Sequence, residues 1–159
     1  DITLPGFFIA RHELTNREWY EFVNDPATLA EIRASESPIY LPRDVDGKHL
    51  VHERDDGTGY DWWAYRAPAG DERIGSTPVL GVSRDDVAAY IAWRNRRAEA
   101  NGERWRYDLP TEQQWEKAAR GVDGRTFWWG DRFDLSLMLN GHYRPGFLLD
   151  SSIGFEPRV

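Results

Sequence analysis

A surplus of large rings without covalent staples limits this chain most. Eight Trp, seven Tyr and seven Phe make up 14% of 159 residues, and there is no Cys. Fourteen Gly and nine Pro accompany them, so short regular elements joined by long irregular stretches are expected. Irregular backbone needs anchors, and buried rings supply roughly 150–250 Å² of contact each. Trp and Tyr also dominate recognition patches. Core packing is the first expectation for any one Trp, and a binding surface is the second.

Charge and composition remove several classes of function. Against 20 Lys and Arg stand 27 Asp and Glu, a net of −7, so no nucleic-acid partner is expected, because neutralising phosphates takes a positive surface. Without Cys the chain can build no disulfide framework, thiolate zinc site, cysteine nucleophile or cysteine-bound copper. Mean hydropathy is −0.69, and no run reaches the ~18 apolar residues of a membrane span. A cytoplasmic protein of one domain, residues 1–159, is expected.

Three segments carry helix-start signals. Thr15-Asn16-Arg17-Glu18 forms a capping box, followed by Trp19, Phe22 and Val23 on one face. Ser83-Arg84-Asp85-Asp86 has Asp where Glu or Gln is usual; Val87, Tyr90, Ile91 and the stem of Arg94 make its stripe, and Asn101-Gly102 stops it. Thr111-Glu112-Gln113-Gln114 precedes the stripe Trp115, Ala118 and Ala119, and Gly121 ends it. Gly6–Ala10 is expected as a strand. A hairpin insertion is expected over about 42–67, with Lys48–Arg54 outward, a polar tip at 55–59, and Tyr60–Arg66 back. From Gly124 onward the chain looks irregular. The fold class is α+β with high loop content.

Four motifs, in order, then match a known family. Phe8-Ile9, Glu13-Leu14-Thr15-Asn16, Trp19-Tyr20 and Phe22 resemble the opening F-I-x-x-x-E-V-T-N-x-x-Y-x-x-F of the formylglycine-generating, sulfatase-modifying family. Pro78-Val79-Leu80-Gly81-Val82-Ser83, with Asp86 and Ala88-Ala89-Tyr90, is similar to P-V-x-G-V-S-W-x-D-A-x-A-Y. Arg106–Glu112, Trp115-Glu116 and Ala118–Gly121 resemble Y-R-L-P-T-E-A-E-W-E-x-A-A-R-G, and Trp129-Gly130-Asp131 with Phe133-Asp134 resembles W-G-D-x-F-D. The resemblance implies a loop-rich C-type-lectin-like, formylglycine-generating-enzyme-like fold, incomplete at the C-terminus. The segment Lys48–Arg66 and the run Glu116–Arg125 further resemble domains fused behind bacterial serine/threonine protein kinases.

The family's second half, with G-x-x-D-M-x-G-N-V-x-E-W and R-G-G-S-W, has no counterpart in this sequence. The resemblance places the copper-binding cysteines of formylglycine-generating enzymes there. It places the iron-binding histidines of sulfoxide synthases mainly in a separate helical domain. Neither copper nor iron is expected in this chain, and the chain alone is expected to be non-catalytic. A structural calcium is implied at Asn140, Gly141 and Asp150; the competing reading is a turn at Asn140-Gly141 and a solvated Asp150. Trp62 and Trp63 alternate along the expected strand, so one is exposed and could meet a ligand or partner.

His49 and His52 fall on opposite faces of a strand and cannot share an ion. The Asp-Gly pairs Asp46-Gly47 and Asp56-Gly57 are read as turns. The expected role is a ligand- or partner-binding scaffold of a bacterial regulatory protein, with a kinase domain in the same polypeptide. Its partner would be the missing C-terminal part of the domain, another protein, or a second copy. The alternatives are the substrate-supporting part of a metal-dependent oxidoreductase whose catalytic residues lie elsewhere, and the framework of a variable ligand-binding protein.

Overall fold

The computed structural model describes residues 3–62, 75–134 and 137, and they fall into two compact units. One unit runs from His12 to Tyr107; the other comprises the chain up to Arg11 and from Asp108 onward. In the first, the order is α1 (Asn16–Val23), α2 (Pro26–Ala34), β1 (Val51–Glu53), β2 (Tyr60–Trp62) and α3 (Arg84–Ala100).

The expected capping box opens α1. The Thr15 hydroxyl accepts from the Glu18 amide at 3.4 Å, and the Glu18 carboxylate accepts from the Thr15 amide at 2.9 Å. Asn16 then ties the helix start to a distant loop. Its backbone N–H donates to the Thr77 carbonyl and its side-chain amide to Thr77 Oγ1, both at 2.9 Å. The Val79 amide donates to the Leu14 carbonyl at 2.9 Å. The Thr-Asn pair therefore both caps a helix and fastens the chain before Gly81.

Helix α2 adds to the sequence expectations. Asp25 Oδ1 accepts from the amides of Ala27 and Thr28, and Pro26 occupies the first turn. Asp-Pro is a sound helix start, since proline's missing N–H is an orphan there anyway. The signal was present, but only Thr28 and Ile32 are buried, so little apolar periodicity advertises it.

In α3 the box of Ser83 and Asp86 forms, and Asp86 does a second job. Its Oδ2 accepts from the Ser83 amide at 2.8 Å, while Oδ1 accepts from the Tyr40 amide at 3.1 Å. Tyr40 sits at φ 62°, a left-handed conformation that costs a non-glycine residue roughly 1–3 kcal/mol. Three bonds offset that cost: the Asp86 bond, one from Trp19 Nε1 to the Tyr40 carbonyl at 3.0 Å, and one from the Tyr40 hydroxyl to Glu31 at 3.1 Å. The expected stripe holds in part: Tyr90 is in the core and Ile91 packs against it. The buried side of α3 is Tyr90, Trp93 and Ala98, while Val87 and Ile91 are half-buried.

Half of the core is aromatic. Trp19, Phe22, Val23, Ile32, Leu41, Val51, Tyr90 and Trp93 form one buried cluster. Phe22 lies at its centre, with ring centroids of Trp19, Tyr40, Trp93 and Tyr90 at 5.3, 5.2, 5.5 and 5.6 Å. Trp19 stacks on Tyr90 at 5.5 Å and 16°, which fastens α1 to α3. Gly81 closes the loop before α3. At φ 73° its carbonyl accepts from the Arg43 amide at 2.8 Å, and a Cβ there would lie 1.9 Å from the Arg43 carbonyl oxygen. No other residue fits.

The hairpin forms, with an outgoing strand shorter than expected. Strands β1 and β2 pair antiparallel with Val51 opposite Trp62 and Glu53 opposite Tyr60; residues 63–66 of the expected return strand lie outside the described residues. Asn24 holds β2 to α1. Its Oδ1 accepts from the Tyr60 amide at 2.7 Å, and its Nδ2 donates to the Tyr60 and Tyr20 carbonyls at 3.1 Å. Both Asp-Gly regions are turns: Asp44 Oδ1 accepts from the amides of Asp46 and Lys48, and Asp56 Oδ1 from the amide and hydroxyl of Thr58. The expected strand over Gly6–Ala10 is absent among the described residues. Phe8 is 85% exposed, and an apolar run alone does not specify the backbone pairing that makes a strand.

Two predictions follow from the ring cluster. Phe22→Ala should lower unfolding free energy by about 3–5 kcal/mol, measured by denaturant unfolding, because it leaves a cavity facing four rings. Burial first, and then the Glu18 carboxylate, push the Tyr90 hydroxyl up to about 12. An unfolded tyrosine titrates near ~10, so this contribution is complete below that pH and is lost as pH rises toward 12. Alkaline unfolding monitored by phenolate absorbance should show a loss on the order of 2 kcal/mol across that window. Tyr90→Phe should remove that part of the pH dependence, and an unchanged profile would contradict the assignment.

Candidate interaction surface

The second unit contains α4 (Glu112–Arg120). The Thr111 hydroxyl accepts from the Gln114 amide at 3.2 Å and the Gln114 side chain from the Thr111 amide at 2.9 Å, so the third capping box forms. Gly121, at φ 70°, ends the helix as expected. Trp115, Ala118 and Ala119 recur at three- and four-residue intervals and so share one side. No residue of α4 is buried; Trp115 is 62% exposed and Val122 90%. The expected apolar stripe is real, but it lies on the surface.

After the helix an arginine-pinned loop carries more rings. Arg120 donates to the Arg125 carbonyl at 2.8 Å, the Gly124 carbonyl at 2.7 Å and the Glu116 carboxylate at 2.6 Å. Arg125 forms two parallel bonds to the Asp123 carboxylate, at 2.9 and 2.7 Å, and reaches the Trp128 carbonyl at 3.2 Å. The guanidinium hydrogen bond holds Asp123 below the usual carboxylate range and, reciprocally, raises Arg125. Phe127 and Gly130 exchange backbone bonds at 2.8 and 3.0 Å, Asp131 Oδ1 accepts from the Thr126 amide at 2.8 Å, and Trp129 Nε1 donates to the Arg132 carbonyl at 2.8 Å.

On this frame Phe127 stacks on Trp129 at 5.1 Å and 5°, and Trp128 meets Trp129 edge-on. Phe133 packs beside Phe127 at 5.8 Å yet is 63% exposed, and Trp128 is 59% exposed. Exposed Trp and Phe on a fixed loop with adjacent Arg have the composition of protein-recognition hot spots. Of these rings, sequence reading noted Trp129 and Phe133 within a motif and missed the two arginines that pin the loop. The available signal was Arg120 and Arg125 flanking an Asp-Gly turn.

Of the candidate site residues, Trp62 lies in β2, paired through its backbone with Val51. Its side chain and all of Trp63 lie outside the described residues, as do Asn140, Gly141 and Asp150. His52 lies in β1 opposite Asp61, and His49 bridges to Arg43 before the strand. Among the described residues no three His, Asp or Glu side chains converge on a metal position, and no helix is long and apolar enough to cross a membrane.

Comparison with known proteins agrees with the motifs. The model of the sulfatase-modifying factor enzyme 1-like domain matches residues 1–152. Inactive C-alpha-formylglycine-generating enzyme 2 of Mus musculus is 32% identical over 145 residues, 84% of this chain and 43% of the relative. The formylglycine-generating enzyme of Mycobacterium tuberculosis is 31% identical over 152 residues, covering 82% and 46%, and that of Mus musculus is 28% identical over 142 residues, covering 82% and 35%. The chain thus spans less than half the length of these relatives. No solved structure matches it significantly. With the capped helices and the four ordered motifs falling inside the matched span, the chain belongs to the sulfatase-modifying factor enzyme 1-like domain family.

Proposed function

We propose that this chain is a non-catalytic binding scaffold, built on the loop-rich C-type-lectin-like α+β fold of its family. The exposed aromatic surface of α4 and the following loop carries this reading. Large rings held in fixed positions by arginine bonds lose little conformational freedom on contact, which favours association. The partner is the remainder of a formylglycine-generating-enzyme-like domain or another protein with an apolar surface. A bacterial regulatory protein with a kinase domain in the same polypeptide is the setting suggested by the resemblance of Lys48–Arg66 and Glu116–Arg125.

The direct test is sedimentation with an apolar-surface dye. The chain should bind dye and self-associate. Trp115→Ser with Trp128→Ser should abolish both while shifting unfolding free energy by no more than about 0.5 kcal/mol, as for surface positions. A dye-silent monomer, or a strongly destabilised double variant, would show that these rings are core residues.

A second reading is favoured by the identity with relatives named as formylglycine-generating enzymes. In it the chain is the N-terminal part of a metal-dependent oxidoreductase with its catalytic residues outside residues 1–159. Incubated with copper and a cysteine-containing peptide, the chain alone should yield no aldehyde; an aldehyde product would overturn the scaffold reading. Structural calcium belongs to either reading. Amide and carboxylate oxygens such as those of Asn140 and Asp150, with a backbone carbonyl such as that of Gly141, are the donor types a hard cation takes. Calcium added to chelator-stripped protein should then raise Tm, by about 2.7 kcal/mol of stability at a hundredfold excess over Kd. Asp150→Ala should remove the shift, and a calcium-insensitive Tm would leave Asn140-Gly141 as a turn.

A further inference from the structure

The end of α3 and the segment that follows it gather positive charge in a chain of net −7. From Arg94 to Arg106 there are five arginines and two glutamates. Arg94 pairs with Glu103 at 3.7 Å and Arg97 with Glu21 at 3.2 Å. Arg104 and Arg106 are exposed, and neither makes a hydrogen bond or ion pair, on side chain or backbone, among the described residues.

Asn95 fixes the backbone of this segment. Its Oδ1 accepts from the Tyr107 amide at 2.8 Å, and its Nδ2 donates to the Tyr107 carbonyl at 2.9 Å. An N–H and a C=O of one residue that meet the same side-chain amide point the same way, which is extended backbone. The Tyr107 ring is held as well. Its hydroxyl accepts from Arg94 at 2.9 Å and donates to Glu103 at 3.0 Å, with the Arg94 guanidinium 4.6 Å from the ring centre.

In extended backbone, successive residues turn their amides to opposite edges, and their side chains to opposite faces. Tyr107 faces Asn95. Extended backbone continued from Tyr107 would turn the N–H and C=O groups of Arg106 and Arg104 to the other edge, and their guanidinium groups to one face; none of these groups has a partner among the described residues. An unpaired edge is a template for another strand.

We propose that this edge receives an acidic, extended segment of a partner protein. The segment adds as a strand to the Arg104–Arg106 backbone, and its alternate carboxylates meet the two free guanidinium groups, a pairing that planar bidentate bonds favour. A phosphate polymer is a poorer fit, because it carries no backbone N–H and C=O groups to pair with the open edge. This inference does not depend on the role given to the exposed rings.

The test is an anisotropy titration of the purified chain with a labelled peptide alternating Glu and Val. Saturable binding that weakens with salt is expected. Arg104→Ala with Arg106→Ala should weaken it by about tenfold or more, with an unchanged Tm, since both side chains are exposed and unpaired. N-methylation of alternate peptide amides should abolish binding while leaving charge intact. Equal binding of the Lys and Val counterpart, or of a single-stranded oligonucleotide, would overturn the proposal. So would an unaffected double variant, or indifference to N-methylation.

Discussion

Everything else in the His12–Tyr107 unit depends on the packing of Phe22 among four rings. Helix α1 has eight residues and α2 nine, too short to be stable alone in water. The hairpin has three residues per strand, and an isolated pair of strands is marginal. None of these elements supplies its own stability, so each must borrow it from a shared core. Ring pairs contribute roughly 0.5–1.5 kcal/mol each beyond area burial. Phe22 makes four such contacts and Trp19 adds its stack on Tyr90. That concentration in one place lets a unit with little sheet among its described residues hold short helices in register.

Polar side chains do what a larger sheet would otherwise do. Asn24 and Asn95 each present both ends of an amide to one residue's backbone, at Tyr60 and at Tyr107. Each imitates a neighbouring strand for a single residue. Asp86 splits its two oxygens between a helix cap and the strained Tyr40 amide, and Asn16 joins a helix start to Thr77. A hydrogen bond of this kind nets about 1 kcal/mol, less than a ring contact cluster. Its value lies in direction: it decides where irregular backbone goes once the rings have made it compact.

What could be read from sequence tracks how local each signal is. The three capping boxes lie within four residues each, and all three formed with the expected partners. The strand at Gly6–Ala10 failed because a strand is defined by a partner that its own residues cannot name. Trp93 was missed because it lies just beyond the edge of the expected stripe of Val87, Tyr90 and Ile91, on the side of Tyr90. Helix α2 was missed because Asp25-Pro26 announces a start but little apolar periodicity follows. The division of Trp between inside and outside was hidden for the same physical reason. Trp19 and Trp115 both begin apolar stripes on capped helices, yet Trp19 is fully buried and Trp115 is 62% exposed. Periodicity shows that a helix has an apolar face; it says nothing about what covers that face.

That last distinction links stability to function. In the first unit Trp19, Phe22, Tyr90 and Trp93 go to the core, and the polar brackets secure the backbone around them. In the second the same kinds of parts are used in reverse. Arg120 and Arg125 secure the backbone through carbonyl and carboxylate bonds, so Trp128 and Phe133 are not needed to hold the loop and stay exposed. Exposed rings that floated freely would lose rotamer entropy on every contact, whereas rings seated on a pinned loop have already lost it. A surface assembled this way carries a cost in apolar exposure and a gain in readiness to associate, which is the balance a binding scaffold requires.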